Sequence, residues 1–367
     1  MSRKIVILSG NYFGQVSGGA EYQLFLLASH LKKVGHRVYY VFIDNKEPIK
    51  YDREFHLIPM RKRSLLRKIL GRPFFLDVFK LSRWLKRISP EVIIVRGGSA
   101  YVGIAARYRV RKGGKLIWQI AHQEDIEPFR PKLKRSIFFD YVDKKFLEYG
   151  ISSADYVLGQ AGYQSDLLDK HYHRPCDLII PNFHPEPVEM MEKKEPIKIV
   201  WISNFKPFKR PELFVDLALR FKERNGLRFI MIGRNSHVGS LKKFDGLIKR
   251  AENIDYKEEL SIDEVNRILS GSHILVNTSR FEGFPNTFIQ AWMREVPVVS
   301  LSVDPDDIIK NLRLGFHSGS FPQMVKDVRM LIDDAKLREE MGKRAREFAL
   351  KTYSLRNIDR VVKIIEA

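Results

Sequence analysis

Cysteine is scarce in this sequence, and its scarcity limits the chemistry open to the protein. Of the 367 residues, only Cys176 is a cysteine. A single thiol cannot form a disulfide within the chain, and a zinc site built from several cysteines is excluded. We therefore expect a protein of a reducing compartment, with Cys176 acting as a small buried hydrophobic side chain.

Long hydrophobic runs are also missing. No stretch of about 18 apolar residues occurs, so the sequence predicts no membrane-spanning helix. The apolar run near the N-terminus is short and is followed by glycine and polar residues, which is not the pattern of a secretory signal peptide. No G-x-G-x-x-G motif is present, which argues against a dinucleotide-dependent dehydrogenase. We expect a cytoplasmic protein.

Charge is abundant and mainly positive, with a formal net charge of +20. Basic and apolar residues alternate between Met60 and Phe75, a pattern typical of a basic amphipathic segment on an anionic membrane surface. A solvated helix face is the plainer alternative. A nucleic-acid surface is not expected, because the aromatic residues follow no recognised nucleic-acid-binding pattern. The residues predicted to face the membrane are Arg61, Lys62, Arg63, Arg67 and Lys68. A second basic set comprises Arg130, Lys132, Lys134, Arg135, Lys144 and Lys145.

Apolar runs of strand length alternate with helical patterns along the whole chain. This alternation predicts an α/β protein with parallel sheets covered by helices, and the length suits two domains. The stretch Asn182–Pro196 has several prolines, mixed charge and no periodicity, so we place the domain boundary there. The predicted domains are residues 1–182 and 190–351.

A tight turn after a predicted buried strand holds the strongest candidate site. Residues 273–276 form the apolar strand, Gly283 and Pro285 shape the turn, and a helix follows. We expect Asn286 to be the N-cap of that helix. Thr287, Gln290 and Arg294 then share one polar face. With Glu282 in the turn, these side chains would look into a crevice at the carboxyl ends of the strands, where open α/β sheets bind ligands.

Two other connections have residues suited to an anionic ligand. Gly18 and Gly19 precede a helix, and glycines there let the backbone approach a ligand at the helix start. The loop Ser203–Pro211 follows another predicted strand and is rich in Lys and Arg. A fixed ammonium in such a loop stabilises a leaving group that gains negative charge. A simple turn and a solvated basic loop are the alternatives.

The turn around Glu282, its helix and the Val-Pro-Val-Val strand beyond resemble the signature of the family-4 retaining glycosyltransferases. The resemblance implies the GT-B fold, an α/β architecture in which two Rossmann-like parallel-sheet domains face each other across a cleft. It implies an N-terminal acceptor-binding domain, a C-terminal nucleotide-sugar-binding domain, and a last helix, about 352–367, that packs back on the first domain. An ordinary βαβ unit with a chance glutamate is the alternative.

The resemblance also assigns roles to residues of this chain. Glu282 matches the first acid of the signature, Lys209 matches the lysine that holds the diphosphate, and His122 would reach the transferred sugar; these three are the predicted catalytic residues. The predicted donor-binding residues are Gly18, Gly19, Asn204, Lys209, Arg210, Gly283, Phe284, Pro285, Asn286 and Gln290.

Two positions depart from the family pattern. Asn204 stands where the family has an arginine, and Gln290 stands where it has a second glutamate. Lys206 or Arg210 would then supply the missing charge, and the Gln290 carbonyl would accept the ribose hydrogen bonds without charge. A catalytically degenerate nucleotide-sugar-binding or assembly subunit is the alternative function.

The function expected from the resemblance is retaining transfer of a sugar from a UDP- or GDP-linked donor to a glycan or lipid-linked acceptor, in cell-surface polysaccharide biosynthesis. The nucleotide-sugar is a co-substrate, and neither a cofactor nor a metal site is expected. The protein would lie on the inner face of the cell membrane as a peripheral protein.

Overall fold

The computed structural model divides the chain into two units. The first comprises Met1–Phe183 with Arg356–Ala367, and the second comprises His184–Leu355. The structure describes residues 2–16, 18–44, 47–49, 55–61, 74–129, 137–234 and 251–367. The sequence places its domain boundary in residues 182–196, and the chain passes from one unit to the other after Phe183.

The first unit is built on a parallel sheet with the strand order β3-β2-β1-β4-β5-β6-β7. Its central strands are apolar on both faces, as expected when helices cover a parallel sheet on both sides. The strands among the described residues are β1 (Lys4–Leu8), β2 (Arg37–Asp44), β3 (His56–Arg61), β4 (Val92–Arg96), β5 (Lys115–Gln119), β6 (Tyr156–Gly159) and β7 (Leu178–Ile179).

Helices connect these strands and cover the sheet. Gly35, with φ 95°, makes the reversal between the first helix and β2, a backbone conformation that favours glycine. Ser99 caps its helix by accepting a hydrogen bond from the Tyr101 N–H group. The described helices are α1 (Gly19–Lys33), α2 (Val78–Ile88), α3 (Ala100–Lys112), α4 (Gln123–Ile126), α5 (Ile137–Ser153), α6 (Gly162–Tyr172) and the C-terminal helix (Arg356–Glu366).

The second unit has its own parallel sheet, with the strand order β10-β9-β8-β11-β12-β13. Its described strands are β8 (Ile197–Ile202), β9 (Leu227–Ile232), β10 (Ile254–Lys257), β11 (Ile274–Asn277), β12 (Val298–Ser300) and β13 (Gly315–His317). Its described helices are α7 (Pro211–Leu219), α8 (Ile262–Ser270), α9 (Asn286–Trp292), α10 (Ile308–Leu312), α11 (Phe321–Asp333) and α12 (Ala335–Thr352). The C-terminal helix, α13 in chain order, follows these but packs in the first unit.

Each sheet separates layers of buried apolar side chains. In the first unit, Ile358, Val361 and Ile365 of α13 join the core that includes Ile5 and Leu27. In the second unit, the core is formed by side chains of β8, β9 and β11 against α7 and α11. None of the helices described is long and apolar enough to cross a membrane.

The sequence correctly predicts an α/β fold with two parallel sheets. The sequence analysis does not predict β3, β10 and β13, which are edge strands of their sheets. The segment predicted as a basic amphipathic surface segment from Met60 onward begins instead within β3, where Met60 is a buried core residue. Of the predicted membrane-facing residues, Arg61 ends that strand, and Lys62, Arg63, Arg67 and Lys68 lie outside the described residues.

Candidate functional site

The candidate site lies at the carboxyl ends of β8 and β11, which are neighbours in the second sheet. Strand numbering runs outward in both directions from this pair, so the connections leave toward opposite faces of the sheet. Such a switch point opens a crevice at the carboxyl edge, the usual ligand site of open α/β sheets. The basic loop after β8 and the turn after β11 both start here.

Hydrogen bonds and a ring stack join these two connections. The Thr278 hydroxyl donates to the Lys209 carbonyl at 2.7 Å, and the Arg280 N–H donates to the Phe208 carbonyl at 2.8 Å. The Phe208 and Phe281 rings stack with centroids 4.9 Å apart. The Trp201 indole N–H donates to the Thr278 hydroxyl, which anchors the pair of loops to β8. The two loops are therefore positioned as one structure.

An ion pair lies between these loops. The Lys209 ammonium contacts one carboxylate oxygen of Glu282 at 2.7 Å, and both side chains are about one-seventh exposed. The other oxygen accepts from the Asn277 amide at 2.9 Å and the Ser279 hydroxyl at 2.6 Å. Burial opposes ionisation of Glu282, but Lys209 and these hydrogen bonds outweigh it and lower the carboxyl pKa. Glu282 is therefore ionised near neutral pH and fixed in position.

The guanidinium of Arg210 is engaged within the same loops. It donates to the carbonyls of Thr278 at 2.7 Å and Ser279 at 3.1 Å, and to the Ser302 hydroxyl at 2.8 Å. Its backbone adopts the left-handed conformation, with φ 49°, where the 3₁₀ turn Pro207–Lys209 meets α7. These contacts make Arg210 an anchor of the site. Lys206 is exposed beside it, with its ammonium 5.6 Å from the centre of the Phe208 ring.

The turn from Gly283 to Asn286 differs from the sequence prediction in one respect. The N-cap of α9 is Pro285, in an extended conformation, and Asn286 is the first helical residue. The prediction that Asn286 caps the helix is wrong, because its side-chain oxygen instead pairs with His184 at 3.0 Å. Phe284 is buried against Tyr353, with ring centroids 5.1 Å apart.

The predicted polar face of α9 is more buried than expected. Gln290 is 6% exposed and Arg294 is 7% exposed. The Gln290 amide N–H donates to the Asn266 side-chain oxygen of α8 at 2.9 Å. The Arg294 guanidinium donates to the Gln290 backbone carbonyl at 2.9 Å. Arg294 therefore stabilises α9 from inside the unit instead of facing an open crevice.

The predicted residues of the first unit also lie at the carboxyl ends of its strands. His122 is exposed and follows β5, and its backbone N–H donates to the Asp125 carboxylate at 2.8 Å. Gly18 immediately precedes α1 and Gly19 begins it. A Cβ at Gly18 would lie 2.1 Å from a Glu21 carboxylate oxygen, at the end of a side chain that can move aside. Glu21 thus places a negative charge beside the predicted anion site.

Two other features of the described residues involve none of the predicted site residues. Asp304, Asp307 and His317 bring three possible ligand atoms within 4.8 Å of one another, but Asp304 already accepts hydrogen bonds from the N–H groups of Ile309 and Lys310. A cavity of about 750 Å³ is lined mainly by α11 side chains. Neither changes the location of the candidate site.

Sequence reasoning missed several residues that build this site. Asn277 and Ser279 hold Glu282, and Phe208 joins the two loops. Asn277 and Ser279 lie five and three residues before Glu282, a spacing that could have suggested contacts within a turn. The contact between His184 and Asn286 spans about a hundred residues, and no local pattern in the sequence indicates it.

Comparison with family models divides the chain in the same way as the fold. Residues 17–183 match the model described as Glycosyltransferase Family 4, and residues 186–348 match the model described as Glycosyl transferases group 1. The predicted site residues of each unit therefore lie within a stretch that a glycosyltransferase model matches.

Two curated relatives come from Staphylococcus aureus. The capsular polysaccharide biosynthesis glycosyltransferase CapM is 25% identical over 351 residues, covering 88% of each chain. The poly(ribitol-phosphate) alpha-N-acetylglucosaminyltransferase of strain COL is 26% identical over 162 residues, which is 43% of this chain and 32% of that relative.

Solved structures resemble the whole chain. A mutant of TarM from S. aureus, in complex with fondaparinux, alpha-GlcNAc-glycerol and UDP, has a TM-score of 0.76 at 15% identity, covering 100% of both chains. WaaG, a glycosyltransferase involved in lipopolysaccharide biosynthesis, has a TM-score of 0.76 at 15% identity, covering 98% of this chain and 99% of that one. HepE from Anabaena, in complex with UDP and glucose, has a TM-score of 0.74 at 13% identity, covering 100% of both chains. At these identities the likeness shows a shared fold.

Proposed function

The chain belongs to the group 1 glycosyltransferases of the GT-B fold, and on that premise we propose that it transfers a sugar, with retention of configuration, from a nucleotide-sugar to a glycan or lipid-linked acceptor. The proposed setting is cell-surface polysaccharide biosynthesis, in which the relative CapM is named. The donor binds at the carboxyl edge of the second sheet.

The ion pair between Lys209 and Glu282 carries this proposal. Transfer breaks the bond between the anomeric carbon and the diphosphate, and a bond forms from the acceptor oxygen to that carbon. The acceptor hydroxyl proton leaves on the released nucleotide. Negative charge therefore grows on the diphosphate, and a fixed ammonium lowers the energy of that transition state. Lys209 supplies the ammonium, and the two joined loops hold it in place.

Glu282 has the complementary role. Its carboxylate is ionised and held by three side chains, so it offers a fixed negative charge to the sugar as positive charge develops there. Because the geometry is set before the donor binds, little reorganisation is needed during transfer. The backbone from Gly283 to Asn286 and the Gln290 carbonyl would contact the rest of the donor.

The first unit would bind the acceptor. His122 is an exposed side chain at the carboxyl edge of that sheet, suited to hydrogen bonding with a sugar hydroxyl. Gly18 and Gly19 would contact the donor diphosphate or the acceptor. Glu21 lies beside them and disfavours a second anion there, so we favour acceptor hydroxyl groups as the ligand of this loop.

We propose a uridine or guanosine diphosphate sugar as the donor, bound without a metal or other cofactor. The TarM mutant and HepE structures are of complexes that contain UDP. Lys209 would supply positive charge to the diphosphate, as a cation must when a metal does not.

A peripheral position on an anionic membrane is part of the proposal. Phe79 of α2 is 83% exposed and Phe138 of α5 is 69% exposed. On α5, the Lys145 ammonium lies 5.5 Å from the centre of the Tyr141 ring, and Tyr141 is 45% exposed. Exposed aromatic side chains among cations suit the interface of an anionic membrane.

A donor screen tests the enzymatic function. Thermal unfolding is measured with UDP-sugars and GDP-sugars, because a ligand that binds only the folded state raises its stability. The account predicts stabilisation by one nucleotide class, followed by nucleotide release when an acceptor glycan is added. Stabilisation with no release on any acceptor would favour the degenerate binding or assembly subunit. No stabilisation by either class would contradict the proposal.

Vesicle co-sedimentation tests the membrane surface. Replacing Arg61, Lys62, Arg63, Arg67 and Lys68 with serine should weaken binding to anionic vesicles at low salt, since each basic residue near an anionic leaflet contributes on the order of 1 kcal/mol. Nucleotide-sugar affinity should stay unchanged, which makes it the internal control. Binding of the variant equal to wild type would make a soluble acceptor as plausible as a lipid-linked one.

A further inference from the structure

His184 lies where the second unit begins and is not part of the family motif described above. It is 3% exposed. Its backbone N–H donates to the Tyr353 carbonyl at 2.8 Å, and its ring Nε2 lies 3.0 Å from the Asn286 side-chain oxygen. A histidine next to the crossing between the two units is thus in direct contact with the first residue of the donor helix.

The chemistry of this contact fixes both side chains. Burial lowers the pKa of His184 to about 4, so the ring is neutral near pH 7. A neutral ring has one N–H group, and the Asn286 oxygen is an acceptor, so the proton is on Nε2. Because the oxygen and nitrogen of an amide point in different directions, binding the oxygen to His184 turns the NH₂ group of Asn286 away from His184.

The surrounding packing supports the same role. Phe284 of the turn packs on Tyr353, whose carbonyl accepts from the His184 backbone. Tyr353 also lies against Trp292 at the end of α9, with ring centroids 6.2 Å apart. The start of the helix and the turn before it therefore contact both segments at which the chain passes between the units, and the end of the helix contacts one of them, through Tyr353.

We infer that His184 is a positioning residue of the donor site, which orients the Asn286 amide so that its NH₂ group donates a hydrogen bond to the bound nucleotide-sugar. The inference rests on the proposed function and adds a residue that acts through Asn286. It predicts that His184 affects donor affinity more than the rate of the chemical step.

Three substitutions at position 184 test the geometry. His184→Phe keeps the ring and the burial but removes the donor, and should raise the dissociation constant of the donor about tenfold, as expected for one buried hydrogen bond. His184→Gln places an N–H group near the position of Nε2 and should restore affinity to within about threefold of wild type. His184→Asn is too short to reach and should behave like the phenylalanine variant.

The measurements are calorimetric titration with UDP-glucose and GDP-mannose, steady-state kinetics with the one that binds, and thermal unfolding without ligand. We expect KM to rise with the dissociation constant while kcat changes less than about threefold. Should His184 only support the fold, unfolding temperatures would fall while the donor affinity of the folded variants stayed at the wild-type value. That outcome would overturn the inference.

A double-mutant cycle with Asn286→Ala is the second test. Since His184 acts through Asn286, adding His184→Phe to the Asn286→Ala variant should change donor affinity less than twofold. Additive losses would contradict the inference while leaving the proposed function intact. Wild-type protein that binds neither nucleotide-sugar would contradict both, so the two failures are distinguishable.

Discussion

The substitution Glu282→Gln tests the role of the carboxylate in the proposed donor site. It removes the charge and keeps the shape of the side chain. The carboxylate contacts Lys209 at 2.7 Å, Asn277 at 2.9 Å and Ser279 at 2.6 Å. A glutamine oxygen can still accept from Asn277 and Ser279, whereas its NH₂ group would face the Lys209 ammonium. The contact with Lys209 is therefore lost, because the glutamine NH₂ group and the Lys209 ammonium are both hydrogen-bond donors.

The structure sets the expected magnitudes. Removing one partner from a largely buried ion pair costs about 2 to 3 kcal/mol of folding free energy, at the low end because both groups retain some exposure. The same loss of fixed charge should reduce kcat by at least about a hundredfold, equivalent to about 2.7 kcal/mol in the transition state. Binding of the free nucleotide diphosphate should stay within about threefold of wild type, because Lys209 is released from its counter-ion.

Three measurements on one variant separate the possible outcomes. Transfer rate, affinity for the nucleotide diphosphate and denaturant unfolding are compared with wild type and with Lys209→Met combined with Glu282→Gln. The combined variant should be more stable than Glu282→Gln alone, because no charge is left unpaired. Near-wild-type turnover in Glu282→Gln would refute the role of Glu282. Loss of turnover together with loss of nucleotide binding would assign it to donor binding instead.

Three further predictions concern other parts of the second unit. Gln290→Glu should leave transfer measurable and tighten donor binding by up to about fivefold in titrations, because a charged acceptor replaces a neutral one. The contact with Asn266 can be kept, since the Asn266 amide can rotate and donate to the new carboxylate. A large loss of activity would give Gln290 a role of its own. Burial and the nearby charges of Arg338, Lys193 and Lys198 lower the pKa of His273 from 6.5 to about 4, so as the pH drops this residue takes up a proton in the unfolded state before it does so in the folded state. Denaturant unfolding should therefore show that the stability of wild type falls by about 3 kcal/mol between pH 6.5 and 4, and His273→Asn should remove this fall. The same pH dependence of stability in the two proteins would contradict this prediction. A Cβ at Gly233 would lie 1.8 Å from the Ser203 carbonyl oxygen, so Gly233→Ala should lower stability by about 2 kcal/mol or more and weaken donor binding. The control is Gly271→Ala, which should be tolerated because the nearest atom to its Cβ would be 3.7 Å away. Equal melting temperatures of the two variants would count against the packing of the loop after β8.

The central strands could be predicted because burial on both faces leaves a continuous apolar run in the sequence. Ile5, Val6, Ile7 and Leu8 are all fully buried, and periodicity alone identifies such a strand. The edge strand β10 has only half-buried residues, and its sequence Ile-Asp-Tyr-Lys has no such run. β13 has only three residues, too few for a pattern to register. These two strands are missed because neither has a continuous run of buried apolar residues.

The site could be predicted only in part. Glu282 and Lys209 are predicted because their loops follow buried strands and because both residues match the family signature that the sequence resembles. Their contact at 2.7 Å depends on β8 and β11 being neighbours, which follows from sheet order and not from sequence spacing. The prediction that Asn286 is an N-cap is wrong for the same reason, since its partner His184 is distant in the chain. Residue preferences at helix ends predict Asn286 as the N-cap, but in the structure its side chain pairs with His184.

The most direct test of the central claim is titration of wild-type protein and Lys209→Met with UDP and GDP. The account predicts that wild type binds one of the two nucleotides and that Lys209→Met binds it at least about tenfold more weakly, because a fixed ammonium contacts the diphosphate. Equal affinity in the two proteins, or no binding of either nucleotide to wild type, would contradict a donor site at the carboxyl edge of the second sheet.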